Sequence, residues 1–357
     1  MRSITAASIT AAEARRMRLV AHAFGAPGRT PAQAVARMVA VQGQDLPAVL
    51  RAIAIRSAPG TTLDDVRAAF DRGELVRSWA MRGTLFVATP ADLAVLHAAT
   101  AGRMRPQEWR MCAVRGIDEA LADRAAEVLV GLLDAGPTAR PAVLDAWQAA
   151  GIDTGGGRGY HLLALLAYDG LVRFGPFDGA AQLLVGGAAP AVPDPQAALD
   201  EALLRFALAR APVRPDDAAW WLGLPKRAIR ASLERATGSD GSGALERVLV
   251  GDEPMLVAAG SEPGRRAGVT LVPGFDEWLL GYQDRSLVAS PAALAAIVPG
   301  GNGVFRPAVL VDGRVVGSWR WPAGAGRDGQ PLLELVEPVA AGTAAAIERA
   351  LRRWPHR

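Results

Sequence analysis

The sequence predicts a mainly α chain with small β wings, an α+β fold of three tandem winged-helix modules followed by a C-terminal antiparallel β element. Three observations carry this expectation. Helical stretches over the first 75 residues lead into two short apolar runs around Met81-Arg82-Gly83, which is a hairpin signal. The outline of helices and then a short hairpin recurs twice more. Its spacing of roughly 75 residues is too long for a solenoid repeat and suits small tandem modules. From about residue 263 the pattern changes to β alternation.

The elements follow in order. Residues 11–24 and 31–42 read as helices, with Pro31 in a first turn that tolerates proline. Asp45-Leu46-Pro47 breaks the pattern, because the residue before proline avoids the α region. A helix over 48–56 follows. Thr62 is a candidate N-cap ahead of Asp64 and Asp65, and Gly73 ends that helix. In the second module, 120–134 and GPTARPAVLDAW read as helices, GIDTGGGRG precedes the helix YHLLALLAYDG, and LVRFGPFDGAAQLLV gives two strands around Gly175-Pro176. The third module begins at Gln196. It has the helix EALLRFALAR, the segment APVRPDDAAWWLGLP, the helix KRAIRASLERA, a Gly/Ser-rich loop over 238–243 and strands in ALERVLVGDEPMLVAA. Trp147, Trp220 and Trp221 sit at helical positions and read as core. The last third places β alternation in VTLVPGFDEWLLGY, FRPAVLVDGRVVGSWRW and PLLELVEPV, with Asp312-Gly313 as a hairpin turn and AGTAAAIERALRRW as a closing helix. The expected units are 1–100, 101–192, 193–262 and 263–357.

With 357 residues, half of them hydrophobic, the chain can bury a sizeable core. Its single cysteine, Cys112, excludes a disulfide within the chain, and His22, His97, His161 and His356 are scattered, so no metal is expected. No apolar run reaches the roughly 18 residues of a membrane span. The N-terminus does not read as a signal peptide. The expectation is a cytoplasmic protein with no membrane partner. The net charge of +3 is modest, and Lys226 is the only lysine. Arginine binds phosphate bidentately, although an Arg-rich surface also follows from compositional bias. Phosphate-cradling Gly-rich motifs are absent, so no nucleotide cofactor is expected. Asp276, Glu277, Asp284 and Arg285 form a charged cluster without a neighbouring histidine, which reads as a structural ion-pair network rather than a metal or general-base site.

The most distinctive stretch is VQGQDLPA, residues 41–48. Gln42 and Gln44 are neutral amides two positions apart. On a helix such positions do not face each other. On an irregular loop both side chains can converge on one point, and the Asp45-Leu46-Pro47 break supplies that loop. Taken alone, the triplet is as well explained by the polar end of a helix.

Five stretches change that balance: VQGQDLPA, SWAMRGTLFVAT, GYHLLALLAYDGLV, LVPGFDEWLLGYQDRS and VDGRVVGSWRW, in order across nearly the whole chain. Through them the chain resembles the winged-helix proteins of the AlkZ and YcaQ group, DNA glycosylases that remove bulky alkyl lesions and unhook interstrand crosslinks. The resemblance implies a C-shaped clamp, acting as a monomer without cofactor on double-stranded DNA that carries alkylated or crosslinked purines. Its catalytic signature is Gln, an apolar or small residue, then Gln or Asp. Gln42-Gly43-Gln44 matches the AlkZ branch. The chain departs from the pattern at Gly43, where a more apolar residue is usual, and at Phe86, where many relatives carry His. An N7-alkylated purine is already cationic and leaves without further protonation, so two amides that place a water and face an oxocarbenium-like sugar are the implied machinery. A lyase would need an amine, and Lys226 lies in the third module, so a monofunctional hydrolase is expected. Candidate DNA contacts are Arg77 and Arg82 at the first hairpin, Arg103, Arg105 and Arg110 around Trp109, and Arg158. The alternative for Arg82 is a solvated turn, and for the 102–115 run a solvated helix face. The rival to the whole reading is a non-catalytic winged-helix regulator, which calls for a dimerisation element that the sequence does not show.

Overall fold

Four threonines fix where the chain turns into helix. Thr10, Thr30, Thr62 and Thr89 each precede a helix and accept the backbone N–H three residues on, at 3.1–3.2 Å. The helices they open are Ala11–His22, Pro31–Met38, Leu63–Asp71 and Pro90–Val114. At Thr10, Thr30 and Thr62 the third residue reaches back to close a capping box. This computed structural model describes residues 7–187, 194–238, 243–322 and 330–356.

Two boundaries around VQGQDLPA differ from expectation. The second helix stops at Met38, and Val41–Gln42 is a strand paired antiparallel with Thr84–Ala88. Gln42 therefore belongs to a sheet edge and not to a helix end. The next helix, Leu46–Ala54, starts two residues early, because the Asp45 carboxylate accepts the Ala48 N–H at 2.8 Å and caps it.

The first and second wings fuse. Strands run in the order Val41–Gln42, Thr84–Ala88, Val76–Met81, Arg173–Asp178, Ala181–Val185 and Thr138–Ala139, with Arg77 opposite Phe174 at the join. Within the second wing, Gly175-Pro176 is not the turn but a bulge inside the strand, where the register shifts between Phe174 and Phe177. The turn falls at Gly179, whose φ is +57°. Helix Pro90–Val114 runs through the unit boundary expected at residue 100 and packs against Pro195–Arg210 and Arg158–Tyr168.

In the third wing Ala7–Ile9, a strand the sequence did not announce, pairs parallel with Leu245–Val250, which pairs antiparallel with Glu253–Ala258. Residues 239–242 of the Gly/Ser-rich loop and the expected boundary at 192–193 lie outside the described residues. The C-terminal element is an antiparallel sheet of Val269–Val272, Ala308–Val311, Arg314–Arg320 and Leu332–Leu335, and the helix Ala341–Arg352 packs on it. GFDEWLLGY is not strand. It forms the short helix Glu277–Leu280, capped by Asp276, whose carboxylate accepts the Trp278 N–H at 2.8 Å.

Trp147, Trp221 and Trp278 are fully buried, whereas Trp220 is half-buried. Among the described residues no helix is long and apolar enough to cross a membrane.

The turn Asp312-Gly313 has φ of +46° and +78°, the left-handed pair that a two-residue hairpin requires. A Cβ on Gly313 would lie 3.2 Å from both Arg15 Cβ and Trp278 Cζ2. Gly313→Ala is therefore expected to cost about 1–3 kcal/mol through strain and crowding together. The change should appear as a lower urea midpoint with an unchanged slope.

Candidate active site

The Gln42-Gly43-Gln44 segment lies flat along the neighbouring strand. Gly43 N–H donates to Leu85 O at 2.8 Å, and Gly43 O accepts the Arg77 Nε–H at 2.6 Å. A Cβ at Gly43 would lie 3.2 Å from the Phe86 carbonyl carbon and the Val87 nitrogen, so glycine is what permits this close approach. Phe86, the other departure from the family pattern, is fully buried with its ring 6.2 Å from that of Trp221.

Both amide side chains have their oxygen ends assigned by backbone donors. Gln42 Oε1 accepts Gly43 N–H at 3.1 Å, and Gln44 Oε1 accepts Leu85 N–H at 3.2 Å. A backbone N–H cannot face an NH₂ group favourably, so each Nε2 points the other way. Gln42 is 8% exposed and Gln44 is open to solvent. One amide is held in the protein and the other faces solvent.

Behind the loop is a buried ion pair that sequence reading did not connect to it. Gln42 N–H donates to Glu277 Oε1 at 2.9 Å. Glu277 Oε2 accepts Arg210 Nη2–H at 2.7 Å, Arg210 Nε–H at 3.2 Å and Trp221 Nε1–H at 3.1 Å. Both charged side chains are fully buried. Arg210 also donates to Met38 O at 3.0 Å and Ala40 O at 3.1 Å. Those carbonyls bracket Val39, whose φ of +65° and ψ of −53° approach the strained γ-turn conformation.

A second buried pair lies beside the first. Arg56 meets Asp276 through two bonds of 2.8 Å, and its Nη2 donates to His22 Nδ1 at 3.0 Å. Since guanidinium can only donate, Nδ1 accepts and the His22 proton sits on Nε2, 2.9 Å from the Tyr282 hydroxyl. Tyr282 in turn donates to Arg210 O at 2.7 Å. The Asp276–Glu277 cluster is thus an ion-pair network, as the sequence suggested. A histidine does lie beside it, brought by the N-terminal helix. Burial, and then the Arg56 charge, holds the His22 pKa well below the usual value. Asp284 pairs instead with Arg214, and Arg285 Nε donates to Leu279 O.

The six candidate DNA-contact arginines scatter. Arg77 is buried behind the loop, bonded to Gly43 O and Gln182 Oε1, and burial lowers its pKa to about 10. It faces the glutamines from the protein side. Arg82 lies over the Trp220 ring at 4.1 Å, and burial lowers its pKa to about 10 as well. Arg103 and Arg110 are exposed, and among the described residues neither makes an ion pair. Arg105 is exposed but paired with Asp169. Arg158 is half-buried, donating to Asp153 O and Arg115 O, where it ties two helices together. The structure thus brings Arg77 and Arg82 to the Gln42 sheet and leaves the others on the second module.

A family model described as AlkZ-like DNA glycosylase matches residues 35–356, from seven residues before Gln42 nearly to the end. The chain belongs to this family. It is a DNA glycosylase. The interstrand DNA cross-link repair glycosylase of Streptomyces sahachiroi is 25% identical over 308 residues, 80% of each chain. The solved structure of Streptomyces sahachiroi DNA glycosylase AlkZ has a TM-score of 0.78 to this one at 21% identity, over 98% of this chain and 97% of that one, and shares the fold.

In this AlkZ-like glycosylase, sequence reading singled out the two glutamines but did not connect Glu277 and Arg210 to the strand that carries Gln42. The available signal was the adjacency of two acids to an apolar helix in FDEWLL, since acids inside apolar sequence need buried partners. Glu277→Gln leaves Arg210 buried without its counter-charge and is expected to cost about 3–5 kcal/mol in unfolding free energy. His22 supplies a pH dependence. Its folded pKa lies below the unfolded value, so its contribution is complete above that unfolded value and is lost as pH falls through it. Below about pH 6.5 stability should drop by up to about 1.4 kcal/mol per pH unit for this group. Burial also lowers the pKa of His97 and His356, which adds to the slope. His22→Gln should flatten the denaturation midpoint between pH 6.5 and 5, and an unchanged slope would exclude His22 as the source.

Proposed function

We propose that this glycosylase hydrolyses the N-glycosidic bond of N7-alkylated purines in double-stranded DNA, including crosslinked ones, with Gln42 and Gln44 as its catalytic residues. The observation that carries this reading is the orientation of the two amides. Their oxygens are pinned by backbone N–H groups, which leaves each NH₂ and one lone pair per oxygen to hold a water. Alkylation at N7 makes the ring cationic. The C1′–N9 bond breaks with its electron pair passing to the purine, which leaves neutral. The water oxygen then bonds C1′ and releases its proton to solvent. Such a reaction needs positioning and a site that tolerates positive charge on the sugar, and two pinned amide dipoles suit both needs.

The reaction stops at the abasic site on this reading. The only lysine, Lys226, is paired with Asp216 at 2.7 Å on the third module, so no side-chain amine is placed to form a Schiff base. Of the six candidate arginines, Arg103 and Arg110 are the two that are exposed and make no ion pair among the described residues, which leaves them available to DNA phosphates. Arg77 acts instead through Gly43, as a positioning residue. Extension to crosslinks rests on the relative whose name carries that activity.

The test uses duplexes carrying one N7-methylguanine or one interstrand crosslink, with strand breaks scored before and after alkali. The wild type should give breaks only after alkali. The double variant Gln42→Ala/Gln44→Ala should lose about a hundredfold or more in release rate while duplex binding holds. Breaks without alkali would overturn the monofunctional reading, and undiminished release by the variant would overturn the assignment of the glutamines.

A further inference from the structure

A groove of about 410 Å³ opens one residue beyond Gln44, between the start of helix Leu46–Ala54 and the C-terminal sheet. Pro47 and Ala48 form one side. Phe275, Val304 and Phe305 form the other, with Trp319 at the base. Its size is that of a small-molecule cleft, and most of these surfaces are apolar or aromatic. Val304 is 50% exposed there, a large apolar side chain left in water. Arg320, exposed at the rim, makes no ion pair among the described residues.

The aromatic wall is built with care. Phe275 holds φ at +56°, a strained value for a bulky residue, and its N–H donates to Phe305 O at 3.3 Å. A Cβ on Gly274 would lie 2.6 Å from Phe305 O, so glycine is needed for the two loops to touch. The two rings stand 6.3 Å apart, and the Arg285 guanidinium lies over Phe305 at 5.2 Å. Phe275 also lies two residues before Glu277, whose carboxylate accepts the Gln42 N–H. One loop therefore sets both the wall of the groove and the position of the glutamine strand.

We propose that this groove is a specificity subsite that takes the flat apolar substituent carried on N7 of the purine being released. The occupant follows from continuity with the Gln loop, from the aromatic lining, and from the absence of any role for this wall in the buried ion-pair network. An apolar substituent gains from desolvation and ring contact there, whereas a methyl group does not reach it. The inference rests on the proposed N7-alkylpurine glycosylase reading, and its test separates the two.

Full-length wild type, Val304→Glu and Phe305→Ala are each given a duplex with one N7-methylguanine and a duplex with one N7-benzylguanine, and duplex binding is measured alongside. Val304 is exposed, so that variant keeps the fold and places a carboxylate at the groove mouth. The expected result is a loss of about tenfold in kcat/KM on the benzyl adduct, with methyl release held within about twofold. Wild-type release of the benzyl adduct alone, lost in both variants while binding holds, also supports the subsite. Equal losses on both adducts would overturn it and point to a wall that stacks an ordinary base. No loss on either adduct overturns it as well. Release of neither adduct by the wild type overturns the proposed function itself, and the subsite with it.

Discussion

One buried carboxylate, that of Glu277, joins three parts of the chain: the first-module strand through Gln42 N–H, the third module through Arg210 and Trp221, and its own C-terminal element. Removing a carboxylate and a guanidinium from water costs several kcal/mol per ion, and the attraction between them offsets this only when the remaining lone pairs and protons are also satisfied. Here they are. Both Glu277 oxygens are occupied, and Arg210 spends its other donors on Met38 O and Ala40 O. The arrangement is therefore close to all-or-none. It cannot lose one partner without stranding another, which ties the backbone at Gln42 to the packing of two distant segments.

That constraint explains the local oddities around the glutamines. Val39 is β-branched and sits at positive φ, a conformation that the chain would leave if it were free to do so. Arg210 grips the carbonyls on both sides of it. The second helix consequently ends at Met38 and the chain enters the sheet, where Gly43 can lie against Phe86 and Val87. The neighbouring chain of contacts, Asp276 to Arg56 to His22 to Tyr282 to Arg210, runs through two of the same segments, so the N-terminal helix is bound into the same unit.

What the sequence made legible was local. The Thr62 cap, the hairpin turns at Arg82-Gly83 and Asp312-Gly313, and the buried Trp147 and Trp221 all follow from patterns within a few residues, and the structure has them, although Trp220, also read as core, is half-buried. The fusion of two wings through Arg77 and Phe174, and the pairing of Ala7–Ile9 with Leu245–Val250, depend on residues roughly 100 and 240 positions apart, for which no local propensity exists. The glutamine pair was legible as a motif, but Asp45-Leu46-Pro47 is not the break that frees it: the preceding helix ends at Met38, and these residues open the helix Leu46–Ala54. The early stop at Met38 was not legible, because Arg210, which holds the carbonyls of Met38 and Ala40, lies in another module. Arg77 was read as a surface cation from its neighbours at the hairpin, yet the fused sheet covers it and turns it toward Gly43.

The surroundings of the glutamines also bear on what chemistry they suit. Glu277 is paired with Arg210 and Asp276 with Arg56, so these buried carboxylates are already committed to ion pairs. A normal purine needs protonation to leave, and the buried His22, held neutral, has both ring nitrogens engaged inside the network. On the proposed chemistry the substrate brings its own positive charge, so two amides suffice, whereas an undamaged purine needs a proton that an amide does not supply. Gln44, open to solvent, then does not require an enclosing pocket, since no proton has to be guarded from water. A substituent too large to be enclosed can extend past it along the aromatic wall. That wall and the seat of Gln42 belong to one loop, so on the proposed reading a group held by Phe275 would lie at a fixed offset from a water held by the amides, with recognition and chemistry both positioned by residues 273–277.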